Sequence, residues 1–328
     1  MTTPFDTSDA FDSFGTPGGY AWWYLDALSD DGQCGLTLIA FIGSVFSPYY
    51  AWARRRGNGV ADPLNHCALN VALYARPGGG APTAWTMTER GRQSVQRSAS
   101  SLSIGPSSMM WQGDVLHVAI NERTVPWAKA IRGEVRLRPS TQRLSKSYAL
   151  DAAGQHLWCP IAPRAQVEVD LDQPKLRWTG RGYLDSNRGE RPLADDFIRW
   201  DWSRAALKDR TAVLYDATRR DGSALSLAMA FDARGQAEEF SPPPWVDLPA
   251  TPWRLARSTR SDKPAQSDQP GATRVDQTLE DSPFYARSVL HTHLLGEEAV
   301  AMHESLSLRR WAQPVVQAML PFRMPRRG

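Results

Sequence analysis

A chain of 328 residues can bury a sizeable core in one large or two ordinary domains, and its formal charge of +3 argues against nucleic acid as a main partner. Three scattered cysteines, Cys34, Cys67 and Cys159, form neither a disulfide framework nor a zinc-ligand pattern, which suits a reducing interior. No apolar run approaches the roughly 18 residues of a spanning helix, and the polar, acidic start does not read as a signal peptide. A soluble or membrane-peripheral protein is expected.

After an irregular lead over 1–19, residues 20–28 read as a first strand and Asp30-Asp31-Gly32 as a hairpin turn. Residues 35–43 form the return strand, apolar enough to be buried on both faces. Pro48, Tyr49, Tyr50, Trp52 and Arg54-Arg55-Arg56 then read as an aromatic and basic loop, at a rim or simply on the surface. Strands are expected over 65–74, 84–88, 93–104, 109–112, 115–121, 135–138, 166–172 and 175–183. Beyond residues 200–204 the series resumes over 212–217, 225–231, 273–279, 285–294 and 299–308. Residues 258–273 are polar with no apolar face and read as an exposed loop or disordered insert.

Many short strands with Gly, Asp and Pro turns, and no amphipathic helix before the C-terminus, predict an all-β protein. The strands are too many for one small sandwich. Two barrel or sandwich units are expected to divide near 190–210, the first over 20–204 and the second over 205–310. A basic amphipathic tail over 311–328, helical or irregular, follows. Its Trp311, Met319, Leu320 and Phe322 among arginines suit a water–lipid boundary. Packing of the tail across a barrel mouth accounts for the same residues. The 13 tryptophans fit either an aromatic-lined cavity or a large β core.

Candidate chemistry gathers between Gly180 and Gly189. Tyr183, Asp185 and Asn187 stand at two-residue spacing, so on a strand a phenol, a carboxylate and an amide share one face. Gly180, Gly182 and Gly189 around them suggest a bulge or a close approach by another backbone or a ligand. The alternative is a strand end whose polar residues cap a turn. His156 and Trp158 share a face by the same spacing, with Pro160 suggesting a strand end. No nucleophile elbow, phosphate loop or dinucleotide fingerprint is present. His291 and His293, with His303 across a hairpin, have a spacing that metals can use, but structural or rim histidines are the better reading. No metal or cofactor is expected.

Several segments resemble the carotenoid 1,2-hydratases (hydroxyneurosporene synthases) of photosynthetic bacteria: residues 20–24, 41–50, 156–160, 180–189 with Trp200 and Trp202, and 319–325. The resemblance covers nearly the full chain. It implies paired lipocalin-like β domains and a cofactor-independent hydro-lyase that adds water to the terminal 1,2 double bond of an acyclic carotene such as neurosporene or lycopene. The residues it associates with catalysis are His156, Trp158, Tyr183 and Asp185. On that reading Asp185 is the acid that protonates the less substituted alkene carbon. Keeping it protonated near pH 7 takes about 4 kcal/mol, which burial among aromatics can supply. Tyr183 or His156 would sharpen its acidity or handle the water, Trp158 would face the carbocation, and Asn187 would orient the acid or the water. Trp22, Trp23, Tyr24, Phe46 and Tyr49, with Tyr50 and Trp52, would line or gate a slot for the polyene. An acyclic carotenoid substrate and a cytoplasmic, peripheral place on the inner or photosynthetic membrane follow from the same resemblance. The rival readings are a non-catalytic carrier of hydrophobic ligands and an isomerase or cyclase on the same scaffold.

Overall fold

The computed structural model describes residues 10–76, 80, 83–265 and 271–327. In chain order the elements begin with β1 (Tyr20–Ser29), β2 (Cys34–Ile42), α1 (Pro48–Arg56), β3 (Cys67–Ala75), β4 (Ala84–Arg90), β5 (Val95–Arg97) and β6 (Ser101–Ile104). They continue with β7 (Ser107–Gln112), β8 (Val115–Arg123), β9 (Ala130–Pro139), β10 (Tyr148–Ala149), β11 (His156–Gln173), β12 (Leu176–Gly189), α2 (Leu193–Asp196) and β13 (Phe197–Ala206). Then come β14 (Arg210–Arg219), β15 (Ala224–Asp232), β16 (Ala237–Glu239), β17 (Trp245–Leu248), β18 (Arg257–Arg260), β19 (Arg274–Asp281), β20 (Tyr285–Leu294) and β21 (Glu297–Ser307). The chain closes with α3 (Leu308–Trp311), α4 (Pro314–Met319) and β22 (Arg326–Arg327). The protein is all-β with a short helical C-terminal stretch, as the turn and strand pattern predicts.

The chain divides into one compact unit of Met1–Pro192 with Ala318–Gly328 and a second of Leu193–Gln317. The break in the chain falls between Pro192 and Leu193. It does so because β13 pairs with β14 and β21 and so belongs wholly to the second unit.

The first unit is a single sheet in the order β22-β4-β3-β2-β1-β12-β11-β9-β8-β7-β6-β5, with β10 on β11. Alternation along β1, β2 and β3 puts Trp23, Leu25, Leu38, Ala40, Leu69 and Val71 on one face, in one apolar cluster with Leu116, Val118, Val135 and Val167. The opposite face of the same strands is left for other work. β11 runs straight through the expected strand end at Pro160. Pro160 and Pro163 cannot donate to the ladder, and register shifts fall between Cys159 and Ala162 and between Ala162 and Ala165. Bulges absorb the prolines and keep the strand whole.

The basic aromatic segment expected as a loop is the helix α1. Ser47 caps it, its hydroxyl accepting from the Tyr50 amide at 2.9 Å, Pro48 opens it, and Arg54, Arg55 and Arg56 face the negative end of the dipole. The buried trio Tyr50, Ala51 and Arg54 is a helical stripe too short to stand out in the sequence. The end of the tail is also ordered by the sheet. Residues 326–327 pair in parallel with β4, and buried Glu89 receives Arg326 and lies 2.8 Å from His66 Nδ1.

The second unit holds a sheet in the order β16-β15-β14-β13-β21-β20-β19 and the separate pair β17–β18. Ala205, Leu214, Leu290, Leu294 and Ala301 form its apolar cluster. The polar stretch expected as an exposed insert from 258 begins instead with strand residues Ser258 and Thr259, both buried; Thr273 is also buried, and its hydroxyl donates to Ser261 Oγ at 2.6 Å. Residues 266–270 of that stretch lie outside the described residues. His303 is buried and donates from Nε2 to the Ser258 carbonyl at 3.0 Å. Among the described residues no helix is long and apolar enough to cross a membrane.

Removing Arg326 leaves Glu89 buried with its histidine alone, so Arg326→Ala is expected to cost about 3 kcal/mol. Thermal melting and proteolytic release of the tail would both register it. Burial pushes His303 down to about 4 from 6.5, so the folded unit refuses a proton that the unfolded chain accepts. Its contribution, about 3 kcal/mol, is present above pH 6.5 and is lost as pH falls toward 4. His303→Gln is expected to flatten that part of the stability–pH curve, as urea midpoints across the interval would show.

Candidate active site

Three neighbouring strands, β1, β12 and β11, build the site on the face of the first unit's sheet opposite its apolar cluster. Residues directly opposed in an antiparallel ladder share a face. Asp26 opposes Tyr183, Tyr24 opposes Asp185, Trp22 opposes Asn187, and Tyr20 opposes Gly189. On the far side of β12, Trp158 opposes Asn187 and His156 opposes Gly189. The two-residue spacing in 183–187 therefore lies on a strand, not in a turn, and brings both predicted pairs onto one surface.

Asp185 is its centre. It is 3% exposed, and its Oδ2 accepts from Tyr183 Oη at 2.8 Å and from Trp158 Nε1 at 2.8 Å. Both donors fall on one oxygen, so Oδ1 takes neither. Tyr183 and Trp158 are fully buried, and Tyr148 on β10 packs on Trp158 with ring centres 5.5 Å apart. Asn187 is buried beside them in the next row.

His156 is also fully buried. Its Nδ1 lies 2.8 Å from the Tyr20 hydroxyl, and its amide donates to Asp151 Oδ1 at 2.8 Å. Gly189 makes the first contact possible. A methyl there would stand 2.5 Å from the Tyr20 ring and 2.6 Å from His156 Nδ1. Gly180 and Gly182 likewise admit the Leu28 backbone and the Val167 side chain, the close approaches that glycines in a strand suggest. Tyr20 was not singled out beforehand, although it shares the parity of Trp22 and Tyr24. Asp26, fully buried opposite Tyr183, was missed because a lone Asp in an apolar strand carries no motif.

The residues expected to line a slot separate. Trp22 and Tyr24 lie on the site face, with Trp22 stacked on Tyr20 at 5.1 Å and 6.3 Å from Phe41. Phe46 extends that run, edge-on to Phe41 at 5.9 Å. Trp23 does not belong to it. Alternation turns it into the apolar core, 4.9 Å from Phe11, so it cannot line a slot with its neighbours. Tyr49 is on α1, where burial pushes its phenol up, and nearby Glu89 adds to the shift. Tyr50 is buried and donates to the Gly19 carbonyl at 2.7 Å, a packing role. Trp52 is 51% exposed under the Arg56 guanidinium.

The three histidines cannot meet around a metal. His303 opposes Ser288, whereas His291 and His293 have the other parity on β20 and point from the other side of the sheet. His291 and His293 instead face Asp276 and Asp262 at 3.5 and 3.4 Å. Among the described residues no group of His, Cys, Asp and Glu could hold a metal ion.

The family described as "Carotenoid hydratase CrtC" matches residues 38–328. The acyclic carotenoid 1,2-hydratase of Thiocapsa roseopersicina is 57% identical over 97% of this chain and 76% of its own length. That of Rubrivivax gelatinosus is 49% identical over the same shares. In structure, a Nitrosomonas europaea protein described as an AttH matches with a TM-score of 0.60 at 17% identity, over 94% of this chain and 96% of that one, and so shares the lipocalin-like fold. The chain belongs to the carotenoid hydratase family and is a hydro-lyase.

Proposed function

We propose that the chain adds water to the terminal 1,2 double bond of an acyclic carotene, neurosporene or lycopene, to give a 1-hydroxy carotenoid. The observation that carries this reading is a buried carboxyl, Asp185, held through one oxygen by a phenol and an indole. An isolated alkene is a very weak base, so its proton must come from an acid placed in a dry site. Asp185 gives that proton from Oδ1 to the less substituted carbon. Positive charge then forms at the tertiary carbon. As Asp185 becomes a carboxylate, Tyr183 and Trp158 stabilise it from Oδ2 with charge-assisted hydrogen bonds. The π face of Trp158 adds about 2 kcal/mol of attraction to a desolvated cation.

Water then attacks the tertiary carbon and must lose a proton. His156, tied to Tyr20 and placed one row beyond Asn187, is the acceptor, and Asn187 orients the water. Returning that proton to Asp185 closes the cycle with one water added and no electrons moved. Trp22, Tyr24, Phe41 and Phe46 receive the polyene along the aromatic run. A carrier of hydrophobic ligands would have little use for the buried carboxyl. We propose a cytoplasmic, membrane-peripheral location, since the substrate dwells in lipid.

The test is incubation of purified protein with lycopene in detergent and water enriched in heavy oxygen. One labelled water per hydrated end is expected in the product, and Asp185→Asn is expected to lower turnover by roughly 10²–10⁴-fold with unchanged melting. Binding without product would point to a carrier, and full turnover in the variant would remove Asp185 as the acid. Gly189→Ala inserts a methyl between Tyr20 and His156. Turnover is expected to fall about tenfold or more, from the loss of one buried hydrogen bond together with the displacement of both rings by the methyl, while Tyr20→Phe, which removes the same bond without the clash, should fall less.

A further inference from the structure

Among the described residues the two most exposed large apolar side chains are Phe322, at 83%, and Trp127, at 80%. They lie far apart in sequence, yet both line one groove of about 590 Å³ in the first unit, together with Trp85, Pro174, Lys129 and Arg323. Its described lining includes two cations and no carboxylate. The Arg323 guanidinium lies 4.1 Å over the Trp85 ring, so its stem and plane cover apolar surface while its charge stays at the rim.

Trp127 does not dangle. Its turn between β8 and β9 is closed by hydrogen bonds from the Ala128 amide to the Thr124 carbonyl at 3.0 Å and from the Thr124 amide to the Lys129 carbonyl at 2.8 Å. Arg123 donates to the Ala128 carbonyl at 3.1 Å, and Ala128 sits at φ +50°. An ordered turn thus presents an indole to the surroundings, flanked by cations. Burying such side chains at the edge of hydrocarbon while lysine and arginine meet phosphate is how proteins lie on a membrane surface.

We propose that this face, the 124–129 turn with Phe322 and Arg323, docks on an anionic phospholipid bilayer. Trp127 and Phe322 enter the boundary between headgroups and acyl chains, and Lys129 and Arg323 meet the lipid phosphates. The groove is also connected to the candidate site through the sheet. Trp85 opposes Ala72, Ala72 opposes Thr37, Thr37 opposes Asp26, and Asp26 opposes Tyr183. Four strand spacings, roughly 19 Å along the sheet, separate Trp85 from Tyr183. On the carotenoid reading, on which this purpose rests, a polyene leaving the bilayer at the groove meets the face that carries Asp185.

The test is co-sedimentation of the full chain with phosphatidylcholine vesicles, with and without phosphatidylglycerol, beside hydration assayed separately in detergent. Wild type is expected to partition onto the anionic vesicles. Trp127→Ala with Phe322→Ala should weaken that partition about tenfold or more at unchanged melting and unchanged turnover in detergent. Lys129→Gln with Arg323→Gln should remove the preference for anionic vesicles and its salt dependence. Equal partition by wild type and the aromatic variant, or no partition by wild type, would overturn the proposal even if hydration is observed. So would binding of dispersed short-chain phospholipid without binding to vesicles. Vesicle binding as expected with no hydration would instead sink the catalytic reading and leave the docking surface standing.

Discussion

The register of β12 between β1 and β11 is the constraint on which the site depends. With Tyr24 opposite Asp185 and Trp158 opposite Asn187, every polar group of the site falls on one face and every core residue on the other. Because side chains alternate, a slip of one residue would turn Asp185 and Tyr183 into the apolar cluster and bring Leu184 out of it. The apolar side of the strands enforces the register, so the stability of the core and the placement of the acid are one requirement. Glycine completes it. At Gly189 the missing side chain lets a tyrosine from one neighbouring strand and a histidine from the other meet across the middle strand.

That arrangement also explains how polar groups survive under deep burial. A buried carboxyl without partners costs several kcal/mol, and here the neighbouring strand β11 and β12 itself provide donors within hydrogen-bond reach. Each donor is anchored in turn: Trp158 by the Tyr148 ring, and Tyr183 by Tyr24 edge-on at 6.3 Å. The site is carried by strand interiors rather than loops, so the rotamers are set by packing.

Much of this was legible in the sequence because its carrier is period two. Tyr183, Asp185 and Asn187, and His156 with Trp158, could be paired by spacing alone. The same parity separates Trp22 and Tyr24 from Trp23, and grouping all three as slot residues set it aside. The part that could not be read was long-range. Nothing local says that Tyr20 meets His156, 136 residues away, or that Asp26 stands opposite Tyr183. Pro160 was misleading for a physical reason: proline ends most ladders, but a bulge can absorb it when the pairs on both sides are strong. The helix α1 escaped because its buried stripe spans little more than one turn. Buried polar strand residues such as Ser258 and Thr259 escaped because composition reports what a segment could expose, not what covers it.

In the mechanism we propose, two opposing influences meet at Asp185, and the chemistry would need both. Burial of a carboxyl disfavours its charged form, while hydrogen bonds donated to it favour that form. Burial alone would make an acid too weak for an alkene. The donors alone would leave a carboxylate with nothing to give. A hydrogen bond strengthens as its acceptor gains charge, so the donors contribute least before transfer and most as it proceeds. On that mechanism they would stabilise the transition state more than the resting acid, which is the condition for accelerating the step. On the proposed mechanism Trp158, whose N–H donates to Asp185, would join the two halves of the reaction, with its ring facing the forming cation. The charge separation that protonation would create would thereby be held at both ends by one rigid side chain.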